Sequence, residues 1–241
     1  MSEYIRNNLY GKVAVFDGDS ICMGSIKDGR LPWANIIGDE NSMEWKNYGI
    51  GGGTVTAEVY VASTGAKRHW VSRNIDRIHE ECAALDYLIL EGGTNDADLL
   101  IDQPERFGEY NLEDYSGNYD DTTFTGALES LFYKATRYYP TAKIGYIVAQ
   151  KMGTPACGYG PDYKRRKFFL RAIEVCRKWG IPYLDLWESS PLNPSLECYY
   201  DKTLSIEENE AQGKCYVDGQ HLTALGYRVI SSRIAAWMQN L

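Results

Sequence analysis

The sequence lacks most of the features that announce a partner or a cofactor. No uninterrupted apolar stretch approaches the ~20 residues needed to span a bilayer. Met1 to Lys12 is polar and charged, without the apolar run of a secretory leader. These absences predict a cytoplasmic protein with no membrane span. The six cysteines (Cys22, Cys82, Cys157, Cys176, Cys198, Cys215) show no Cys-x-x-Cys pair and no zinc-like spacing, so no metal is expected and reduced thiols are the default. Cys198 and Cys215 flank one loop-like segment and would pair only in an exported protein. Basic charge is also in deficit. A net charge of −8 argues against nucleic acid as a partner, because its phosphates need clustered Lys and Arg. The one glycine run, Gly51-Gly52-Gly53, has neither the Lys-Ser/Thr ending of a P-loop nor the spacing of a Gly-x-Gly-x-x-Gly turn, and no cofactor is expected.

What is present suits one α/β domain: 241 residues, 44% of them apolar. Val13 to Phe16 is a β-branched and apolar run that stops at Asp17-Gly18 and reads as a buried strand. Glu44 to Tyr48, Leu85 to Leu90, Ala142 to Ala149 and Tyr183 to Leu186 read as further strands. Helices are expected within Thr54 to Ile78, over Phe124 to Tyr139 (Leu128, Leu131, Phe132 and Ala135 inward), over Asp162 to Trp179, and over Thr223 to Asn240 (Leu225, Val229, Ile230, Ile234 and Trp237 inward). Pro191 to Gly213 reads as loop. Alternation of this kind implies a parallel sheet with helices on both faces. No repeat or linker breaks the chain, so residues 1–241 are expected to form one domain, with 1–12 as an N-terminal extension. Leu99 to Thr123 stands apart as an acidic, aromatic insert; irregular stretches of that length usually serve as a functional lid or are disordered.

Four motifs carry chemistry. Gly18-Asp19-Ser20 follows the first strand, and open α/β sheets bind ligands at the carboxyl ends of their strands; the plainer alternative is that Asp19-Ser20 caps a helix. Asp218-Gly219-Gln220-His221 precedes the last helix. Of three histidines, His221 has a carboxylate three residues away in a turn containing glycine. That carboxylate can fix the imidazole tautomer for proton transfer from a serine, or simply cap a helix beside a surface histidine. His69 and His79 read as solvated bystanders. Gly93-Thr94-Asn95-Asp96 follows the Leu85–Leu90 strand and offers an amide donor, and the run at Gly51–Gly53 offers an unobstructed backbone N–H. Together they would meet the need of acyl transfer for oxyanion donors.

In this order, the four blocks resemble those of the SGNH hydrolases, or GDSL esterase/lipase family, from Val13 to the final helix. The resemblance implies a flavodoxin-like α/β/α three-layer sandwich with a mainly parallel sheet. It also implies metal-independent hydrolysis of O-acyl esters through an acyl-enzyme. By the same resemblance Ser20 is the nucleophile, and its own N–H, the Gly52 N–H and Asn95 are the oxyanion donors. His221 is the general base and then acid, and Asp218 its orienting carboxylate. Gly52 is the member of its run that lines up with Asn47 and Thr54. Gly18 to Cys22 is not the Gly-x-Ser-x-Gly elbow of α/β-hydrolases.

The expected substrate is a small-molecule ester. The carboxylates of the insert could meet sugar hydroxyls, and Phe107, Tyr110, Tyr115 and Tyr119 could stack on a sugar or merely pin the loop. A small acyl group such as acetyl on a carbohydrate or other small alcohol is therefore the first reading. A lysophospholipase- or thioesterase-like lipid deacylase, an acyltransferase on the same serine, and a non-catalytic binding module remain as rivals. Sequence gives no oligomeric state.

Overall fold

The computed structural model describes residues 7–25, 28–153 and 163–241. Cys157, Asp162 and the first residues of the expected N-terminal extension lie outside them. The sheet contains β1 (Val13–Asp17), β2 (Glu44–Asn47), β3 (Tyr87–Glu91), β4 (Lys143–Val148) and β5 (Tyr183–Asp185). Its order is β2-β1-β3-β4-β5, and every pairing is parallel. The fold is thus the expected α/β sandwich of flavodoxin-like order. All five residues of β3 are buried, as a central strand covered on both faces requires. β2, at the edge, alternates exposed and half-buried residues.

The helices are α1 (Ser20–Met23), α2 (Trp33–Glu40), α3 (Val71–Glu81), α4 (Thr94–Leu100), α5 (Phe124–Tyr138), α6 (Tyr163–Trp179), α7 (Leu186–Ser189), α8 (Ile206–Ala211) and α9 (Ala224–Met238). α2 packs on α9, while α3, α5 and α6 pack side by side. The predicted core face of α5 holds: Leu128, Leu131, Phe132 and Ala135 are fully buried. In α9, Ile230 and Ile234 point inward and Trp237 reaches over Gly145 of β4, but Leu225 is 45% exposed. Its inward assignment is corrected. It sits in the first turn, where Gly226 and Tyr227 take the buried positions.

Three further expectations change. Within the predicted Thr54–Ile78 span helix begins only at Val71, and it runs on to Glu81. Residues 54–70 instead fold back on themselves through bridges of Thr54 to Trp70 and Tyr60 to Lys67. The predicted loop 191–213 contains α8, started by a capping box of Ser205 and Glu208. His69 precedes α3 rather than lying in a helix, while His79 is exposed on α3, as expected, and stacks on Tyr138 at 4.1 Å. The described cysteines are free thiols, Cys198 and Cys215 among them.

In the order 2-1-3-4-5 the chain leaves β1 in one direction and β3 in the other. The carboxyl ends of β1 and β3 therefore flank a crevice that no crossover covers, the usual ligand position in such sheets. Gly-Asp-Ser leaves β1 there, and Gly-Thr-Asn-Asp leaves β3.

Candidate active site

β1 ends at Asp17, and Asp19 caps α1 by accepting a hydrogen bond from Ile21 N at 2.9 Å. The cap anticipated for Asp19-Ser20 is therefore made by Asp19 alone. Ser20 Oγ lies 2.9 Å from His221 Nε2. His221 Nδ1 lies 2.8 Å from Asp218 Oδ2, while Asp218 Oδ1 accepts from the backbone N–H groups of Gln220 (2.9 Å) and His221 (2.7 Å). The turn around Gly219 thus folds the carboxylate back onto its own histidine. Burial pushes the Asp218 carboxyl up, but its hydrogen bonds to His221 and to the turn outweigh that and hold it below the usual range. An ionised carboxylate accepts only, so the proton sits on Nδ1 and Nε2 keeps a lone pair toward Ser20. For His221, burial pulls the pKa down, and the hydrogen bond and charge of Asp218, with the charge of Asp19, raise it above the ordinary value. The arrangement can take a proton from Ser20 and hold it.

Asn95, in the first turn of α4, donates through Nδ2 to Gly53 O at 2.9 Å and, more weakly, to Asp19 Oδ2 at 3.4 Å. This joins the Gly-Asp-Ser, glycine-run and Asn-Asp blocks at one point. Within the glycine run, Gly51 N donates to Met23 Sδ at 3.2 Å and Gly53 N to Ile50 O at 3.0 Å. Among the described residues the Gly52 N–H has no acceptor, and φ of +70° gives Gly52 a left-handed backbone that favours glycine. The structure therefore brings all five expected residues to one end of the sheet: Ser20, His221 and Asp218 in a direct chain, Asn95 and Gly52 beside them.

Sequence reasoning passed over three groups here. Asp96 accepts from Val55 N (2.9 Å), Thr56 N (2.9 Å) and Thr56 Oγ1 (2.5 Å), fixing the backbone just after the glycine run. The Asn-Asp pair itself was the available signal. Glu91, fully buried at the end of β3, accepts from Asp19 N at 3.2 Å. A Cβ on Gly18 would lie 2.6 Å from Glu91 Oε2, so glycine is required where β1 turns over this carboxyl. Burial raises Asp17 to about 7 and Asp19 to about 6, and carries Glu91 well above its ordinary value. The third group, Arg68, lies against Gly52.

The cavity over Ser20 has a volume of about 270 Å³ and is lined by Ser20, Met23, Arg30, Val217, His221, Leu222 and Tyr227, among others. No residue of 99–123 lines it. The insert instead lies along α5 and α6, with Tyr110 Oη donating to Glu174 O (3.0 Å) and Tyr115 Oη to Lys178 O (3.2 Å). Its tyrosines pin the loop and do not reach over the serine. Among the described residues no His, Cys, Asp and Glu cluster is arranged to hold a metal ion. No helix of the described residues is long and apolar enough to cross a membrane.

Solved structures share this architecture across almost the whole chain. A protein from Lactobacillus plantarum is 20% identical with a TM-score of 0.72, covering 97% of this chain and 99% of that one. A protein from Bacteroides ovatus, named as a candidate GDSL-like lipase, is 16% identical with a TM-score of 0.61, covering 95% and 99%. A carbohydrate acetylesterase family member from Sinorhizobium meliloti is 14% identical with a TM-score of 0.56, covering 95% and 100%. No curated protein matches in sequence. The profile of the GDSL-like Lipase/Acylhydrolase family, in contrast, matches residues 16–229, from the end of β1 through the His221 turn into α9. The chain belongs to the GDSL-like lipase/acylhydrolase family.

Proposed function

We propose that the chain is a serine esterase that removes a small acyl group, acetyl in the first instance, from a carbohydrate or other small alcohol. One observation carries the reading: Ser20 Oγ, His221 and Asp218 form an unbroken hydrogen-bonded chain, 2.9 Å and 2.8 Å in its two links. Ser20 Oγ attacks the ester carbonyl as its proton passes to His221 Nε2. The tetrahedral oxyanion is received by the N–H groups of Ser20 and Gly52 and by the Asn95 amide, whose 3.4 Å contact with Asp19 is the weaker of its two and the one to give way. The alcohol leaves with the proton from His221, and an acyl-enzyme remains. Water then attacks that acyl carbon, His221 again accepting a proton and returning it to Ser20 as the acid departs.

The small-acyl preference rests on the cavity. At about 270 Å³ it falls just below the usual range of about 300–1,000 Å³ for ligand sites, and Met23, Val217, Leu222 and Tyr227 give it apolar walls. The fold shared with a carbohydrate acetylesterase family member is compatible with a sugar as the alcohol. The test is hydrolysis of p-nitrophenyl acetate, butyrate and octanoate by the wild type and by Ser20→Ala. Turnover that vanishes in the variant and falls as the chain lengthens is expected. Equal rates in both proteins would end the esterase reading, and a preference for octanoate would turn it toward lipids.

A further inference from the structure

Arg68 differs from every other cation near the site. A Cβ on Gly52 would lie 2.2 Å from Arg68 Nη1 and 3.1 Å from Cζ, so the guanidinium rests directly on Gly52. Its Nε is buried and without a hydrogen-bond partner, and among the described residues no carboxylate pairs with the side chain. Its neighbours are all engaged: Lys67 with Glu58 (3.4 Å), Arg73 with Asp121 (2.9 Å), Arg77 with Glu81 (2.7 Å). Arg30, which lines the Ser20 cavity itself, is held by both oxygens of Glu210 at 2.6 and 3.1 Å.

A buried donor left without an acceptor is destabilising, and an arginine fork presents parallel N–H groups that match the two oxygens of a carboxylate. The cleft that contains Arg68, about 440 Å³, is lined by Lys67, Arg73 and Arg77 and by no acidic residue. Lys67, Arg73 and Arg77 each have a carboxylate partner, so among the described residues Arg68 is the cation of this cleft left to meet an anion. From these observations we propose that the ester cleaved at Ser20 carries an anionic group, and that Arg68, placed beside Gly52, binds it. The proposal rests on the esterase reading and narrows its substrate class. Arg68 acts on the remote charge of the substrate, not on the oxyanion, so it sets selectivity between anionic and neutral esters.

The experiment compares two pairs of esters, each an acid and its methyl ester: 4-acetoxybenzoate, with the charge on the alcohol side, and p-nitrophenyl hemisuccinate, with the charge on the acyl side. For at least one pair the wild type should favour the acid, and Arg68→Gln should cut the ratio of kcat/KM, acid over methyl ester, by on the order of 10-fold or more, chiefly through KM. Arg68→Lys, which keeps the charge, should restore part of the ratio. Ratios equal in wild type and Arg68→Gln for both pairs overturn the proposal. So does a loss of the same factor on acid and methyl ester, which would make Arg68 an oxyanion or structural group. Calorimetric binding of 4-acetamidobenzoate, a non-ester probe, separates this idea from its foundation. If the wild type turns over no ester faster than Ser20→Ala, the esterase reading falls. Weaker binding of the probe by Arg68→Gln would then uphold the anion site, and identical binding would overturn it.

Discussion

Residues 48–70 and 101–123 are two irregular stretches of similar length, and they are held in different ways. The first is tied down by directional bonds to buried groups: Asp96 takes three donors from Val55 and Thr56, Asn95 grips Gly53 O, and Arg106 donates to Ala57 O and Glu58 O. The second is held by rings together with tyrosine hydrogen bonds to main-chain carbonyls, Tyr110 to Glu174 O and Tyr115 to Lys178 O. Tyr115, Tyr119 and Tyr133 approach Trp179 edge-on at 5.3, 6.4 and 6.1 Å, and Phe107 meets Phe168 at 5.1 Å. Ring packing fixes where a segment lies, whereas hydrogen bonds to buried charge fix where each N–H points. An oxyanion donor needs the second kind of restraint. The comparison shows that the backbone around Gly52 is held as an oxyanion donor would require, whereas the insert packs along α5 and α6.

The hydrogen-bonded restraint is tested hardest at the other site loop, where Asp218 holds His221. Asp218→Asn should lower kcat/KM about 10⁴-fold, since an amide can donate to Nδ1 and leave the wrong tautomer facing Ser20. The pH profile carries a second signature. His221 works as a base when neutral, and its pKa is raised, so wild-type kcat/KM should climb with pH to a plateau through a midpoint above 6.5. In the variant the hydrogen bond and charge that raise it are gone and burial, which lowers it, remains. The midpoint should therefore move down. An unshifted midpoint in the stopped-flow profile would detach Asp218 from the base.

Gly52→Ala comes next. A side chain at φ +70° is strained by about 1–3 kcal/mol, and the new methyl would strike Arg68 Nη1. The peptide must shift, and kcat/KM should fall on the order of 10²–10³-fold, as it does when one oxyanion donor is lost. Retention of most of the activity would mean that another N–H of the run receives the oxyanion.

How much of this was legible in sequence follows the same division. β1, β3, β4 and α5 were readable because their patterns are local: short apolar runs stopped by Gly or Asp, and a helical stripe of Leu128, Leu131 and Phe132. The Asp218–His221 pair was readable because three residues and one glycine close the turn without help from the rest of the chain. The course of 54–70 was not readable. Its apolar spacing imitates a helix, and what prevents one is Asp96 and Arg106, about forty to fifty residues away. Arg68 was invisible for a related reason, since its significance lies in the absence of a partner, which only the folded neighbourhood reveals. The lid role expected of the insert rests on its length and composition, and neither specifies which face a loop packs against.

The ring-held stretch should respond in the reverse sense. Tyr119 is half-buried, donates to Asp114 O at 2.9 Å and meets the rings of Tyr133 and Trp179. Tyr119→Ala removes those contacts, and stability should fall by about 2 kcal/mol, lowering Tm by about 4–8 °C for a chain of this size. Turnover of p-nitrophenyl acetate per folded molecule should not change, because no atom of Tyr119 reaches the Ser20 cavity. The same variant assayed on an acetylated sugar sharpens the comparison further. A loss confined to the sugar ester, with p-nitrophenyl acetate unaffected, would make the insert a platform for the alcohol portion despite its distance from the serine. Equal turnover on both substrates, alongside the lower Tm, would leave it a buttress for α5 and α6, with recognition of the substrate left to the hydrogen-bonded loops.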